Sequence, residues 1–174
     1  MKRIWLLIII VLLTGTGAFA SHEGFGIGVV NHYSWNSFLD YNNFGASLKF
    51  SGPSVFWGFY FHQVRSQYYG LGITADVYLI DNIFISRQIS GDDGEYNFNL
   101  GWYFGIGAFM NMRCYDGNLG MDAGGRLPIG LSWYIARPIE FYLSLIPQIG
   151  IALQNGSHFN GGFGVDVGLR LWFL

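Results

Sequence analysis

The stretch "RLPIGLSWYI", residues 126–135, alternates strictly. Leu127, Ile129, Leu131, Trp133 and Ile135 fall on one face, and Arg126, Pro128, Gly130, Ser132 and Tyr134 on the other. A period of two belongs to a strand with one apolar face. The pattern returns in "PIEFYLSLIPQIGIAL", residues 138–153. There Ile139, Phe141, Leu143, Leu145, Ile149, Ile151 and Leu153 lie opposite Glu140, Tyr142, Ser144, Gln148, Gly150 and Ala152, with Ile146 out of phase. Glu140 therefore points away from the apolar face. Pro147 falls on that face, where it costs a ladder hydrogen bond or marks a bulge. Pro138 follows Ala136-Arg137 in a tight turn.

Six more segments alternate in the same way: "GFGIGV", "FGASLKF", "VFWGFYFH", "GLGITADVYL", "YNFNLGWYFGIGAFMNM" and "GFGVDVGLRLWF". The count is eight strands, most of them near the ~9–11 residues that cross a bilayer at a tilt. Between them lie "NHYSWNSFLDYNN", "SGPS", "VRSQY", "CYDGNLG", "ARP" and "NGSH", all of turn or loop composition. The piece from Asp81 to Glu95, with "NIFIS" and "SGDDG", either extends a strand or folds as a short hairpin.

Composition says what the apolar faces meet. Charged residues make up 11% of the chain, where about 25% is usual for a soluble domain. Aromatics reach 19%, and 26 residues are glycine. So few charges cannot cover a soluble surface, and so much apolar content excludes disorder. After residue 20 no run of about 18 apolar residues offers a spanning helix.

The N-terminus reads as a secretory signal peptide, residues 1–20. Lys2 and Arg3 precede an apolar core from Ile4 to Leu13, and Ala18-Phe19-Ala20 supplies the small residues of a cleavage site. The mature domain is then 21–174. Its charge falls from -2 to -4, because Lys2 and Arg3 leave and no acid does. Mild acidity gives no basic patch for nucleic acid. Cys114 is the single cysteine and has no internal disulfide partner. The four histidines and this cysteine show no metal-ligand spacing, and no cofactor motif is present.

In lipid every backbone N–H and C=O must be paired, so a sheet has to close on itself. An even number of alternating strands behind a signal peptide gives an all-β fold: an eight-stranded antiparallel up-and-down transmembrane β-barrel. The inward set then contains Lys49, His62, Asp76, Arg126, Glu140, Asp166 and Arg170. A barrel of this size has room inside only for side chains, and buried charges there must pair. Arg126 and Glu140 are the expected partners across the 136–138 turn. "GFGIGV" and "GIGAFM" resemble fragments of a nucleotide-binding loop, but their glycines alternate and no helix follows; small inward residues explain them. Trp35, Trp57, Trp102, Trp133 and Trp172 are candidates for interfacial girdles, Trp172 on an inward register.

The mature chain resembles the eight-stranded outer-membrane barrels typified by outer membrane protein A. Its last strand, with Asp166, Gly168, Leu171 and Phe173, resembles the carboxy-terminal signal read by the barrel assembly machinery. The region from Gly125 to Leu153 looks closer to a group of uncharacterised small bacterial barrels. Arg126, Pro128, Gly130, Leu131, Pro138 and Pro147 carry that likeness. The resemblance implies outer-membrane residence, contact with outer-membrane lipids and handling by the assembly machinery.

Four functions compete. The first is a small integral outer-membrane protein with a structural or surface-interaction role and an extracellular partner of unknown identity. The second is a rim-active lipid-modifying enzyme, for which His32, Ser34 and Asp40 in one loop and His158 in another are the available groups; no spacing among them defines a triad. The third is a soluble lipocalin-like carrier, which requires the reverse polarity. The fourth is a narrow pore, for which eight strands leave little lumen. The expectation is the first, non-enzymatic reading.

Overall fold

The computed structural model describes residues 24–36, 41–51, 54–65, 68–91, 94–115, 118–136, 138–153 and 157–173. Residues 1–20, expected to be a signal peptide, and Asp40 lie outside the described residues. So does the side chain of His62, whose backbone is strand.

Nine strand segments follow in chain order: β1 (Phe25–Asn36), β2 (Tyr41–Ser51), β3 (Ser54–Arg65), β4 (Tyr68–Gly91), β5 (Gly94–Tyr115), β6 (Asn118–Arg126), β7 (Ile129–Ala136), β8 (Ile139–Leu153) and β9 (Ser157–Phe173). All pairings are antiparallel. Strands β1 to β5 each pair with the next along the chain, β6 and β7 both pair with β5 and β8, β8 pairs with β9, and β9 closes on β1 from Phe25↔Phe173 to Asn36↔Gly162. Among the described residues no strand of the wall is left as a free edge.

β6 and β7 are two halves of one strand. Both run between β5 and β8 on a single alignment: Gly107↔Arg126 and Phe104↔Ile129 on one side, Arg126↔Gln148 and Ile129↔Leu145 on the other. The interruption is chemical. Pro128 and Pro147 have no N–H to donate. What survives is the Leu127 N–H on the Pro147 carbonyl and the Gly105 N–H on the Pro128 carbonyl, each at 2.9 Å. Pro147 thus costs a donor and causes no bulge, since the β8–β9 register runs unbroken past Pro147↔Phe163. The wall therefore has eight strands.

A line across the ladder from Gly26 passes Lys49, Phe56, Asp76, Gly107, Arg126, Gln148 and Gly162. It re-enters β1 at Asn36, ten residues from its start. That stagger tilts eight strands by about 40° from the barrel axis. A bore this narrow is filled by side chains.

The segment Asp81–Glu95 is settled as strand. β4 and β5 continue past the rim as a paired ribbon ending at Gly91↔Gly94, on the same end as Phe25 and Phe173. Register shifts between Tyr78 and Ile80 and between Ile83 and Ile85 break its alternation, so Ile80 and Asp81 are both buried. At the other end the connections are tighter than their composition suggests. "NHYSWN" belongs to β1, and Ser157 and His158 open β9.

The exterior is apolar. Ile27, Trp57, Phe59, Leu71, Ile106, Leu131, Leu145 and Leu169 are all exposed. Trp35, Trp57 and Trp133 face outward with them, whereas Trp172 is buried inside and leaves the proposed girdle.

Closure of β9 on β1 makes a register-specific prediction. Ile27 and Leu171 are paired and both exposed. In a Cys114→Ser background, Ile27→Cys with Leu171→Cys should oxidise to a monomeric disulfide of altered gel mobility. Ile27→Cys with Val167→Cys, four positions off the observed register, should not.

Candidate functional site

The lumen is built from cross-strand pairs of unequal size. Tyr142 pairs with Gly168, Tyr103 with Gly130, Tyr78 with Gly105, Tyr60 with Gly45, and Trp172 with Gly26. The rings of Tyr142, Tyr103, Tyr78 and Trp172 lie against their partner glycines, and the Tyr60 ring lies against Gly58. A Cβ at Gly168 would run into the Tyr142 ring, and one at Gly130 into the Tyr103 ring. Alternating large and small residues fills a narrow bore without strain. The tyrosine rings in turn stack: Tyr78 on Tyr103 at 4.7 Å and Phe56 on Tyr78 at 6.2 Å between centroids.

Charges are set into this aromatic packing at three levels. Nearest the termini, Lys49 Nζ lies 2.7 Å from Asp81 Oδ2, to which Ser54 also donates at 2.8 Å. The ammonium sits 5.0 Å over the Tyr78 ring. Beside it, Glu140 Oε2 accepts from Arg170 Nη1 at 2.7 Å and from Trp172 Nε1 at 2.6 Å. The Arg170 guanidinium lies 4.3 Å over the Tyr142 ring, a second favourable contact for a desolvated cation.

At the middle level Arg126 bridges two carboxylates. Its Nε is 3.1 Å from Asp76 Oδ1, and its Nη2 donates to Asp166 Oδ2 at 3.0 Å. Asp166 also accepts from His32 Nδ1 at 2.5 Å and from the Tyr60 hydroxyl at 3.3 Å. Higher up, Gln148 donates to Ser34 at 2.7 Å. Near the far mouth Asp122 accepts from Arg113 at 2.5 Å and from Asn111 at 3.0 Å. Among the described lumen residues, Lys49, Arg113, Arg126 and Arg170 face Asp76, Asp81, Asp122, Glu140 and Asp166, and His32 shares Asp166 with Arg126.

Lys49, Asp76, Arg126, Glu140, Asp166 and Arg170 are all 2% exposed or less. The expected Arg126–Glu140 pair does not form. Arg126 stands opposite Gln148, and Glu140 opposite Tyr134. Glu140 lies only a few residues beyond the turn and Arg126 far before it. About 26 Å of strand separates Glu140 from Gln148 at 3.3 Å per residue. Arg170, directly across from Glu140 on β9, takes the place. His32 and Ser34 are corrected as well: they are strand residues of β1 facing the lumen, not loop residues at a rim. His158 is exposed at the start of β9.

Asp81, Asp122, Asn111 and His32 were absent from the expected lumen set. Asp122 carries a usable signal. It falls in phase with Arg126 in "NLGMDAGGR", where Leu119, Met121 and Ala123 alternate with Gly120, Asp122 and Gly124. Asp81 carries none, because the bulge after Tyr78 resets the phase.

No protein-family profile matches the chain, and no curated protein does. Among solved structures, the chain is similar to Neisserial surface protein A (NspA). The identity is 13% over 86% of this chain and 96% of that one, with a TM-score of 0.49. It is also similar to Ail, the attachment invasion locus protein of Yersinia pestis. There the identity is 10% over 86% of this chain and 100% of that one, with a TM-score of 0.36.

The pairing scheme is testable by double-mutant cycles on urea unfolding. Glu140→Gln with Arg170→Gln should show a coupling above about 1 kcal/mol, whereas Glu140→Gln with Arg126→Gln should add within about 0.5 kcal/mol. Arg126→Met alone takes the cation from Asp76 and one of three partners from Asp166, and should cost about 3–5 kcal/mol. Coupling between Glu140 and Arg126 would contradict the observed network.

Proposed function

We propose that the protein is an integral outer-membrane barrel that acts as a structural or surface-interaction element, without enzymatic or transport activity. The observation that carries this reading is the occupied bore. The Lys49–Asp81, Glu140–Arg170 and Asp76–Arg126–Asp166 groups span it together with buried tyrosines. Moving an ion through would mean breaking buried pairs, each expensive to separate. A lipocalin-like carrier needs an apolar interior, and this interior is charged. A rim enzyme needs reachable groups close together; His32 and Ser34 are 6% and 2% exposed, and the exposed His158 lies eight residues along β9 from Asp166, the cross-strand partner of His32.

The carboxy-terminal residues suit a dual role. Leu171 and Phe173 point outward at the end of β9, and Phe173 stacks on Phe25 of the closing strand at 5.4 Å. Asp166 and Gly168 face the lumen, inside the charge and aromatic packing. We assign this strand as the segment presented to the assembly machinery, with the β1–β9 seam as the last ladder to form. The ends of β5, β6, β8 and β9 away from the termini form the mouth that faces outside the cell and meets any extracellular partner.

Two measurements test the reading. In planar bilayers the purified protein should give no sustained channel; a stable large conductance would restore the pore. In cells, and in a Cys114→Ser background, Asn118→Cys should react with a membrane-impermeant maleimide directly. Ser86→Cys, on the protruding β4–β5 ribbon, should react only after the outer membrane is permeabilised. The reverse pattern would invert the topology.

A further inference from the structure

The apolar exterior is not a band of constant height. On four adjacent strands its lower limit falls at neighbouring register positions: Phe50 of β2 pairs with Phe25, Phe25 with Phe173, and Leu171 with Ile139 of β8. The upper limits differ. On β2 the apolar outward positions run from Phe50 to Phe44, and the exposed Asn42 ends them. On β8 every outward position from Ile139 to Leu153 is apolar, and on β9 every one from Phe173 back to Phe159 is apolar or glycine. Six residues of strand thus stand against fourteen. At about 3.3 Å per residue and a tilt of about 40°, these are about 15 Å and about 35 Å along the axis.

Outer-membrane barrels expose an apolar band about 25 Å tall. The β8–β9 wall overshoots it at the end away from the termini. Leu119, Ile151, Leu153 and Phe159 are the residues left over, between 52% and 69% exposed. So much contiguous apolar surface marks a contact. Its occupant follows from continuity. No polar side chain at an outward position separates these residues from the lipid-facing ones beneath them on β8 and β9. Nothing along the stripe marks where acyl chains would stop.

We propose that acyl chains of the outer leaflet cover the upper exterior of β6, β8 and β9, and that the barrel sits tilted in the membrane to lower this wall into them. The β2 face, with its short stripe, rides correspondingly high. Hydrophobic mismatch of this kind is relieved by tilting or by local thickening of the bilayer. The proposal rests on the outer-membrane reading and adds an orientation to it.

The test uses the full mature barrel in phosphatidylcholine vesicles, with Cys114→Ser and a nitroxide on one introduced cysteine at a time. Ile151→Cys and Phe159→Cys are the probes. Leu145→Cys reports the middle of the wall, and Asn42→Cys reports water. Collisions with oxygen, which dissolves in lipid, are compared with those of a water-soluble nickel chelate. Residues 151 and 159 should match 145, with oxygen favoured, and 42 should show the reverse. If both probes match Asn42→Cys instead, water covers the patch and the proposal fails. Exclusion of both reagents with spin–spin broadening would put a second copy there, which also overturns it. A water-like signal at 145 would remove the membrane reading itself, and this inference with it.

Discussion

Everything in this barrel depends on the ladder between β1 and β9. A sheet in lipid has no water to satisfy an open edge, so an unpaired strand there is untenable. Pairing from Phe25↔Phe173 to Asn36↔Gly162 removes that edge. Once the ring is closed, its stagger fixes tilt and radius together. The interior is then a fixed volume with one side-chain layer on every second residue. The chain has to fill it, and the filling determines what the protein can do.

The filling follows two rules. Large rings face glycines across the ladder, so that Tyr142 and Gly168, or Tyr103 and Gly130, share one slot. Charges are admitted only with partners, and the cations also lie on ring faces: Lys49 on Tyr78, Arg170 on Tyr142. An aromatic wall and a facing carboxylate together replace the water that a buried ammonium or guanidinium loses. Arg126 serves two carboxylates at once, which makes the middle level the most interdependent part of the lumen. This packing is compatible with a rigid plug and unfavourable for conduction.

Much of this was readable in the sequence, because a strand in such a wall has only two faces and both leave a mark. Strand type, strand polarity and the burial of Lys49, Glu140 and Arg170 come from phase alone. Three things do not. Phase does not name partners: Arg126 and Glu140 share the inward face, but register places them far apart along the wall. Phase does not survive a bulge, which is why Asp81 and the ribbon beyond it were obscure. And lumenal polarity imitates a loop. His32 and Ser34 lie among Asn31 and Asn36 in a stretch with turn-like composition. Only the outward Tyr33 and Trp35 reveal that β1 continues through it.

The most direct test of a closed, lipid-facing barrel is the gel mobility of the detergent-extracted protein, run unheated and boiled. A closed ladder holds the chain compact in detergent until heat breaks it, so the unheated sample should migrate apart from the boiled one. Identical mobility, in a protein released without detergent, would contradict the closed transmembrane barrel.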